Sequence, residues 1–149
     1  MNYTGPMGHK RDHPRSTCPI SLALEVFGDP WTLLVMRDAL YLGKRRFGEF
    51  LSSGEKIATN ILANRLERLV SRGVLRRKPA EQGREGPIYG PTEKGLALIP
   101  VLIEILRWSE RYEPLSVPPP GFVRRIRADR EGLIKLVQKR IRSGLPGLG

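Results

Sequence analysis

Asn60, Ala63, Asn64, Arg65 and Arg68 recur at helical spacing directly after Thr59. An asparagine amide offers a donor beside an acceptor, which matches the adenine edge in the DNA major groove, and an arginine reaches guanine or phosphate. These are side chains for reading base edges, not for covalent chemistry. Arg77, Lys78 and Arg84 fall on and beside a glycine-bearing reversal, and Lys44, Arg45 and Arg46 stand together upstream. Both groups suit phosphate contacts. For each of these residues the plainer alternative is a solvated polar face, so their weight depends on the elements that carry them.

Those elements read as a helix-turn-helix followed by a wing. Residues 46–51 form a short amphipathic helix, 52–56 a turn containing Gly54, and Thr59 is placed to cap a second helix running to about Arg72. Ile61, Leu62, Leu66, Leu69 and Val70 give that helix one buried face, leaving Asn60, Ala63, Asn64, Glu67, Arg68 and Ser71 outward. Gly73 is its C-cap. Residues 74–78 then read as a strand, 82–86 as a tight reversal and 87–90 as the returning strand.

Charge is placed rather than spread. Of the net +11, the window 56–84 holds eight basic and two acidic residues, as does 122–142, so the rest of the chain sums to −1. Such concentration favours a polyanion or an acidic membrane surface. No run of 18 apolar residues and no signal-peptide core is present, so a cytoplasmic protein is expected and a membrane partner disfavoured. The single cysteine, Cys18, excludes an internal disulfide framework. His9, His13 and Cys18 form a weak metal-like string without a fourth ligand, and no metal or other cofactor is expected. No catalytic constellation assembles, because no histidine lies beyond position 13 and no strand feeds a glycine-rich turn, so an enzyme is not expected.

Taken in order, residues 1–16 read as a mobile leader and 17–113 as the DNA-binding and dimerisation domain. Thr17 is placed to cap a first helix whose stripe is Ile20, Ala23, Leu24 and Phe27. Asp29 caps the next, with Pro30 in its first position, and that helix runs to Gly43. Thr92 opens a long helix over 93–112, bent at Pro100. It carries two apolar stripes, and a domain this small covers only one of them, so Leu22, Leu98, Leu102, Ile105, Trp108 and Tyr112 are assigned to a homodimer seam. The alternative folds Trp108 and Tyr112 onto the first helix of the same chain. Residues 114–121 are a Pro-rich linker, 122–142 a basic amphipathic helix weakened by Gly132, and 143–149 a flexible tail. The fold class expected is α+β, mainly helical: a winged helix-turn-helix with a two-stranded wing, a long C-terminal dimerisation helix and an extra basic C-terminal helix.

The residues resemble the HxlR-type winged helix-turn-helix regulators of bacteria. The likeness begins at Cys18-Pro19, continues through 29–34, Arg46-Phe47, Phe50-Leu51 and 57–66, and ends with Tyr89 and 92–95, spanning 16–113 in the family's order. It implies a homodimer through the first and long last helices, a recognition helix at 59–72, a basic wing, and, in some members, sensing of oxidants or electrophiles at the position of Cys18. That cysteine also stands at a helix N-terminus after Lys10, Arg11 and Arg15, which favours a reactive thiolate, although free cysteines are more often buried hydrophobes. Gly90-Pro91 departs from the pattern and suggests a shorter or differently angled wing, and the segment after Pro114 lies outside it. The expected function is a homodimeric, sequence-specific regulator binding double-stranded DNA, with an oxidant or small molecule as effector. The alternatives are an architectural nucleoid protein without sequence preference and a membrane-surface adaptor acting through the basic tail.

Overall fold

The computed structural model describes residues 13–149. His9, Lys10, Arg11 and most of the leader lie outside the described residues. The elements run α1 (Pro19–Phe27), α2 (Thr32–Leu40), α3 (Phe47–Leu51), α4 (Thr59–Ser71), β1 (Leu75–Lys78), β2 (Ile88–Pro91), α5 (Glu93–Leu96), α6 (Ile99–Tyr112), α7 (Phe122–Ala128) and α8 (Arg130–Arg142).

The core gathers around α2. Met36 and Leu40 are fully enclosed by Leu62, Leu66 and Leu69 of α4, Ile99 and Ile103 of α6, and Phe50 of α3, each such side chain contributing about 1.5–3 kcal/mol by its burial. α4 ends as its sequence implies. Gly73 takes φ +71°, its N–H donates to the Val70 carbonyl, and the Val74 N–H donates to the Leu69 carbonyl, which closes a Schellman turn. β1 and β2 are antiparallel, with Arg77 opposite Tyr89 and Leu75 opposite Pro91. Pro91 is thus a member of the strand and closes a ladder of four pairs. At the wing's base the Tyr89 N–H also donates to the carbonyl of Arg45, and the Tyr89 ring meets Phe50 edge-on at 6.5 Å.

Several expectations are corrected. Thr59 is the first residue of α4 and its cap position is Ala58, which has no capping side chain. Cys18 takes the cap position of α1 in place of Thr17. Asp29 does cap α2, accepting from the N–H groups of Trp31 and Thr32 at 2.8 and 3.0 Å, although the regular helix begins only at Thr32 and ends at Leu40, before Gly43. The long helix bent at Pro100 is two helices. The break falls at Ala97 and Leu98, and Pro100 occupies the first turn of α6, where its missing N–H is harmless. The tail helix is likewise two, separated at Asp129, whose carboxylate accepts from the Gly132 N–H and restarts the chain as α8. Residues 143–149 are no loose end, because the N–H groups of Gly147 and Leu148 donate to the carbonyls of Leu40 and Tyr41.

Candidate nucleic-acid interface

The buried row of α4 is Leu62, Leu66 and Leu69. Helical spacing therefore turns Asn60, Asn64, Glu67 and Ser71 to the opposite side, with Ala63 and Thr59 exposed alongside. This face carries two amides, two small hydroxyl side chains, a methyl and one carboxylate. Its cations are elsewhere. The Arg65 guanidinium donates to Asp29 at 2.9 Å and to the Asn64 amide oxygen at 2.6 Å, and it is mostly buried. Arg68 reaches back to the Glu25 carbonyl at 2.9 Å. Burial pushes the Asp29 carboxyl up, but hydrogen bonds from Thr32, Arg65 and the Trp31 N–H outweigh it and leave the group below its usual range. Arg65 and Arg68, assigned to DNA on the sequence, thus brace α4 against the α1–α2 corner, and Asn64 is oriented by Arg65.

The cluster Lys44, Arg45 and Arg46 separates in the same way. Lys44 Nζ donates to the enclosed Asp38 carboxylate at 3.1 Å and to Ser53 Oγ at 2.8 Å. Ser53 and Arg37 also bond Asp38, and Arg37 continues to Glu55. Asp38 is only 2% exposed, so this network locks α2 onto the turn between α3 and α4, and sequence reasoning missed it. Arg45 donates to the carbonyls of Ala39 and Lys44, and burial, followed by the charge of Arg76, lowers its pKa. Arg46 is three-quarters covered, 3.8 Å from Glu81 at the wing. Glu49 accepts from the N–H groups of Arg45 and Arg46, which holds its carboxyl below the usual range and fixes the start of α3.

The wing differs. Arg76, Arg77 and Lys78 are all exposed on β1, as is Arg84 at the tip, and among the described residues none of the four has a carboxylate partner. Lys56 and Arg72, at either end of α4, are exposed too; with Arg76 they complete the cationic rim and were not singled out from sequence. Lys56 adopts φ +57° at the tight turn before α4, a conformation that costs a non-glycine residue about 1 kcal/mol or more.

The proposed seam residues divide as well. α1 leaves α2 at 78° and has no buried residue, with Ile20 71% exposed and Leu22 and Leu24 also exposed. On α6, Ile105, Trp108 and Tyr112 are exposed, and the two rings lie 5.6 Å apart, tilted by 47°. Trp108 and Tyr112 are therefore not folded away onto α1. Leu98 is half-buried, and Leu102 is enclosed within its own chain, so Leu102 belongs to the core rather than to an open seam. Cys18 is exposed and free at the start of α1, where its N–H donates to Ser16 Oγ, while Arg15 turns to Glu25 at 3.3 Å.

An outward amide-bearing helix set on a short helix and a tight turn, with a basic antiparallel hairpin beside it, defines a winged helix-turn-helix protein. The HxlR-like helix-turn-helix family description matches residues 26–116, and the chain belongs to that family. It is 36% identical over 101 residues to Rv3095 of Mycobacterium tuberculosis, described as an HTH-type transcriptional regulator, covering 68% of this chain and 63% of that one. The chain thus spans somewhat under two thirds of that relative's length. Among solved structures, PA1607, described as a transcription factor, superposes with TM-score 0.64 at 42% identity over 73% of this chain and 76% of that one. The reduced form of the transcriptional regulator YodB from B. subtilis superposes with TM-score 0.55 at 28% identity, covering 66% and 97%; YodB has also been solved with quinone bound. No single helix among the described residues is long and apolar enough to cross a membrane.

Proposed function

We propose that the protein is a sequence-specific transcriptional regulator of the cytoplasm that binds double-stranded DNA as a homodimer. The carrying observation is the outward row of Asn60, Asn64, Glu67 and Ser71, bare of cations and accompanied by the exposed Lys56, Arg72, Arg77, Lys78 and Arg84, none of which has a carboxylate partner among the described residues. Amides and a carboxylate on such a face select among base edges, while the rim supplies phosphate contacts and the sequence-independent part of the affinity. The unburied α1 and the exposed Ile105, Trp108 and Tyr112 of α6 support the dimer, which places two recognition helices roughly 34 Å apart on the duplex. A protection map of the DNA upstream of the protein's own gene tests this reading. Two protected half-sites about one helical turn apart are expected, whereas uniform coverage with equal affinity for random DNA would instead support an architectural role.

Cys18 is the candidate sensor. It is exposed at the N-terminus of the helix whose Ile20, Leu22 and Leu24 are left open to a partner, and the related YodB is captured both reduced and quinone-bound. Addition of the Cys18 thiolate to an electron-poor quinone carbon forms an S–C bond and leaves a hydroquinone; oxidation of two Cys18 thiols by diamide forms one disulfide across the dimer and reduces the diamide to its hydrazine. Either change pushes on α1, and a preference of about 1.4 kcal/mol for one spacing of the recognition helices shifts DNA-binding populations tenfold. Operator affinity before and after quinone is expected to change for the wild type and not for Cys18→Ser.

A further inference from the structure

Nothing in the proposed function uses α7 and α8, and the family match ends at residue 116. Yet this segment is firmly built onto the winged helix. α8 runs antiparallel along α5 and α6, with Arg142 bonded to Glu93 at 2.8 Å, Gln138 to the Leu96 carbonyl at 3.4 Å, and Arg130 to Glu104 at 2.8 Å. Beyond α8 the chain turns back, and Gly147 and Leu148 bond Leu40 and Tyr41. Pro146 lies so close to Gly43 that a Cβ there would sit 3.0 Å from its Cγ, and Arg140 Nε donates to the Pro146 carbonyl at 3.0 Å. The last turn of α8 is therefore held beside the segment that leads into the helix-turn-helix, the same segment whose Arg45 carbonyl pairs with Tyr89 of the wing.

The apolar stripe of α8 makes this attachment, with Leu133, Ile134, Val137 and Ile141 in the core; of the helix's large apolar side chains only Leu136, beside Lys135, stays exposed. Opposite that stripe stand Lys135, Lys139 and Arg142. Arg142 is tied to Glu93, whereas Lys135 and Lys139, one helical turn apart, are exposed and have no carboxylate partner among the described residues. A helix meant for a membrane surface keeps its apolar face for lipid, and here that face is already covered by the protein. What remains is a rigid pair of cations on the flank of a DNA-binding unit.

We propose that the outward face of α8, centred on Lys135 and Lys139, is a second DNA-contact surface, taking backbone phosphates of the duplex that flanks the bases read by α4. The inference rests on the DNA-binding reading above. Each phosphate neutralised releases condensed counterions, so contacts of this kind appear in the salt dependence of binding and carry no sequence preference.

The test compares the full-length wild type with Lys135→Gln/Lys139→Gln by fluorescence anisotropy across a salt series. Two random-sequence duplexes serve, one of about 20 base pairs, enough for two half-sites one turn apart, and one of about 40. Thermal melting and circular dichroism confirm that the variant is folded. The expected result is a slope of log K against log salt that flattens by roughly 4 on the long duplex, since two lysines are lost from each protomer of the dimer and each lost contact contributes about 0.9, with the short duplex little affected. Equal slopes for the two proteins on the long duplex overturn the proposal while leaving DNA binding by α4 and the wing intact. Failure of the wild type to bind either duplex overturns both. Loss of binding to anionic phosphatidylserine vesicles by the variant, with DNA slopes unchanged, assigns the face to membranes and also overturns it.

Discussion

Lys44 and Arg45 open the helix-turn-helix and Arg77 and Lys78 lie on its wing, and in the sequence the two pairs look equally suited to a phosphate. In the structure the first pair points inward, to Asp38 and Ser53 and to the carbonyls of Ala39 and Lys44, while the second is exposed and, among the described residues, free of carboxylates. The difference comes from what lies behind each cation. Position 44 follows a helix that buries a carboxylate, and a buried charge holds on to any cation within reach. The wing strand has only Leu75 in the core, so its remaining side chains have nothing to turn toward. The cations of this helix-turn-helix therefore divide into those that hold α4 and its turn in place and those left exposed for a partner, and the division follows burial of the acceptor rather than position in the motif.

Asp38→Ala should give the largest break in this comparison. It strips Lys44, Arg37 and Ser53 of their common acceptor, and removal of one member of a buried ionic network costs about 3–5 kcal/mol, readable as a lowered urea midpoint; an unchanged midpoint would mean the network is incidental. Next in size, Ile105→Asp puts a charge in the proposed seam. Because Ile105 is 46% exposed in the single chain, the protomer should stay folded and sediment as a monomer at micromolar concentration, where the wild type is a dimer. A monomeric wild type would remove the seam from the account. Arg77→Ala should change stability by less than about 0.5 kcal/mol, yet weaken specific and random DNA together and flatten the salt slope of the dimer by roughly 2, about one for each protomer; a stability loss like that of Asp38→Ala would erase the contrast.

The smallest effect concerns acid. The hydrogen bond from Arg37, first among the causes, holds the Glu55 carboxyl down to about 2. Its folded pKa is below the ordinary 4.5, so the stabilisation is present above that value and is lost as pH falls from there toward 2. Glu55 is partly exposed and screened by solvent, so the change is modest. The melting temperature of Glu55→Gln should fall less between pH 5 and pH 3, roughly, than that of the wild type, and identical falls would show that the pair adds nothing.

Much of this was legible in the chain. The period of Leu62, Leu66 and Leu69 determines which way Asn60 and Asn64 face, and Gly73 with the glycine-bearing reversal at 82–86 delimits helix and wing, because these are local signals. What sequence reasoning missed is set by distant partners. Arg65 finds Asp29 across 36 residues, and Lys44 finds an Asp38 that reads like any surface acid until α3 closes over it. The break between α5 and α6 was misplaced for a similar reason. Pro100 has no N–H to donate to the Leu96 carbonyl, which accepts instead from Gln138 on α8, so the chain turns after Leu96 and Pro100 falls in the first turn of a new helix.

The central claim is that α4 reads bases through its amide row while its arginines serve as braces. Asn60→Ala tests it most directly, measured on the protected operator and on random duplex of equal length at one salt concentration. The account predicts a loss of about 1–3 kcal/mol on the operator with little change on random DNA. Equal losses on both, or none on either, would contradict it.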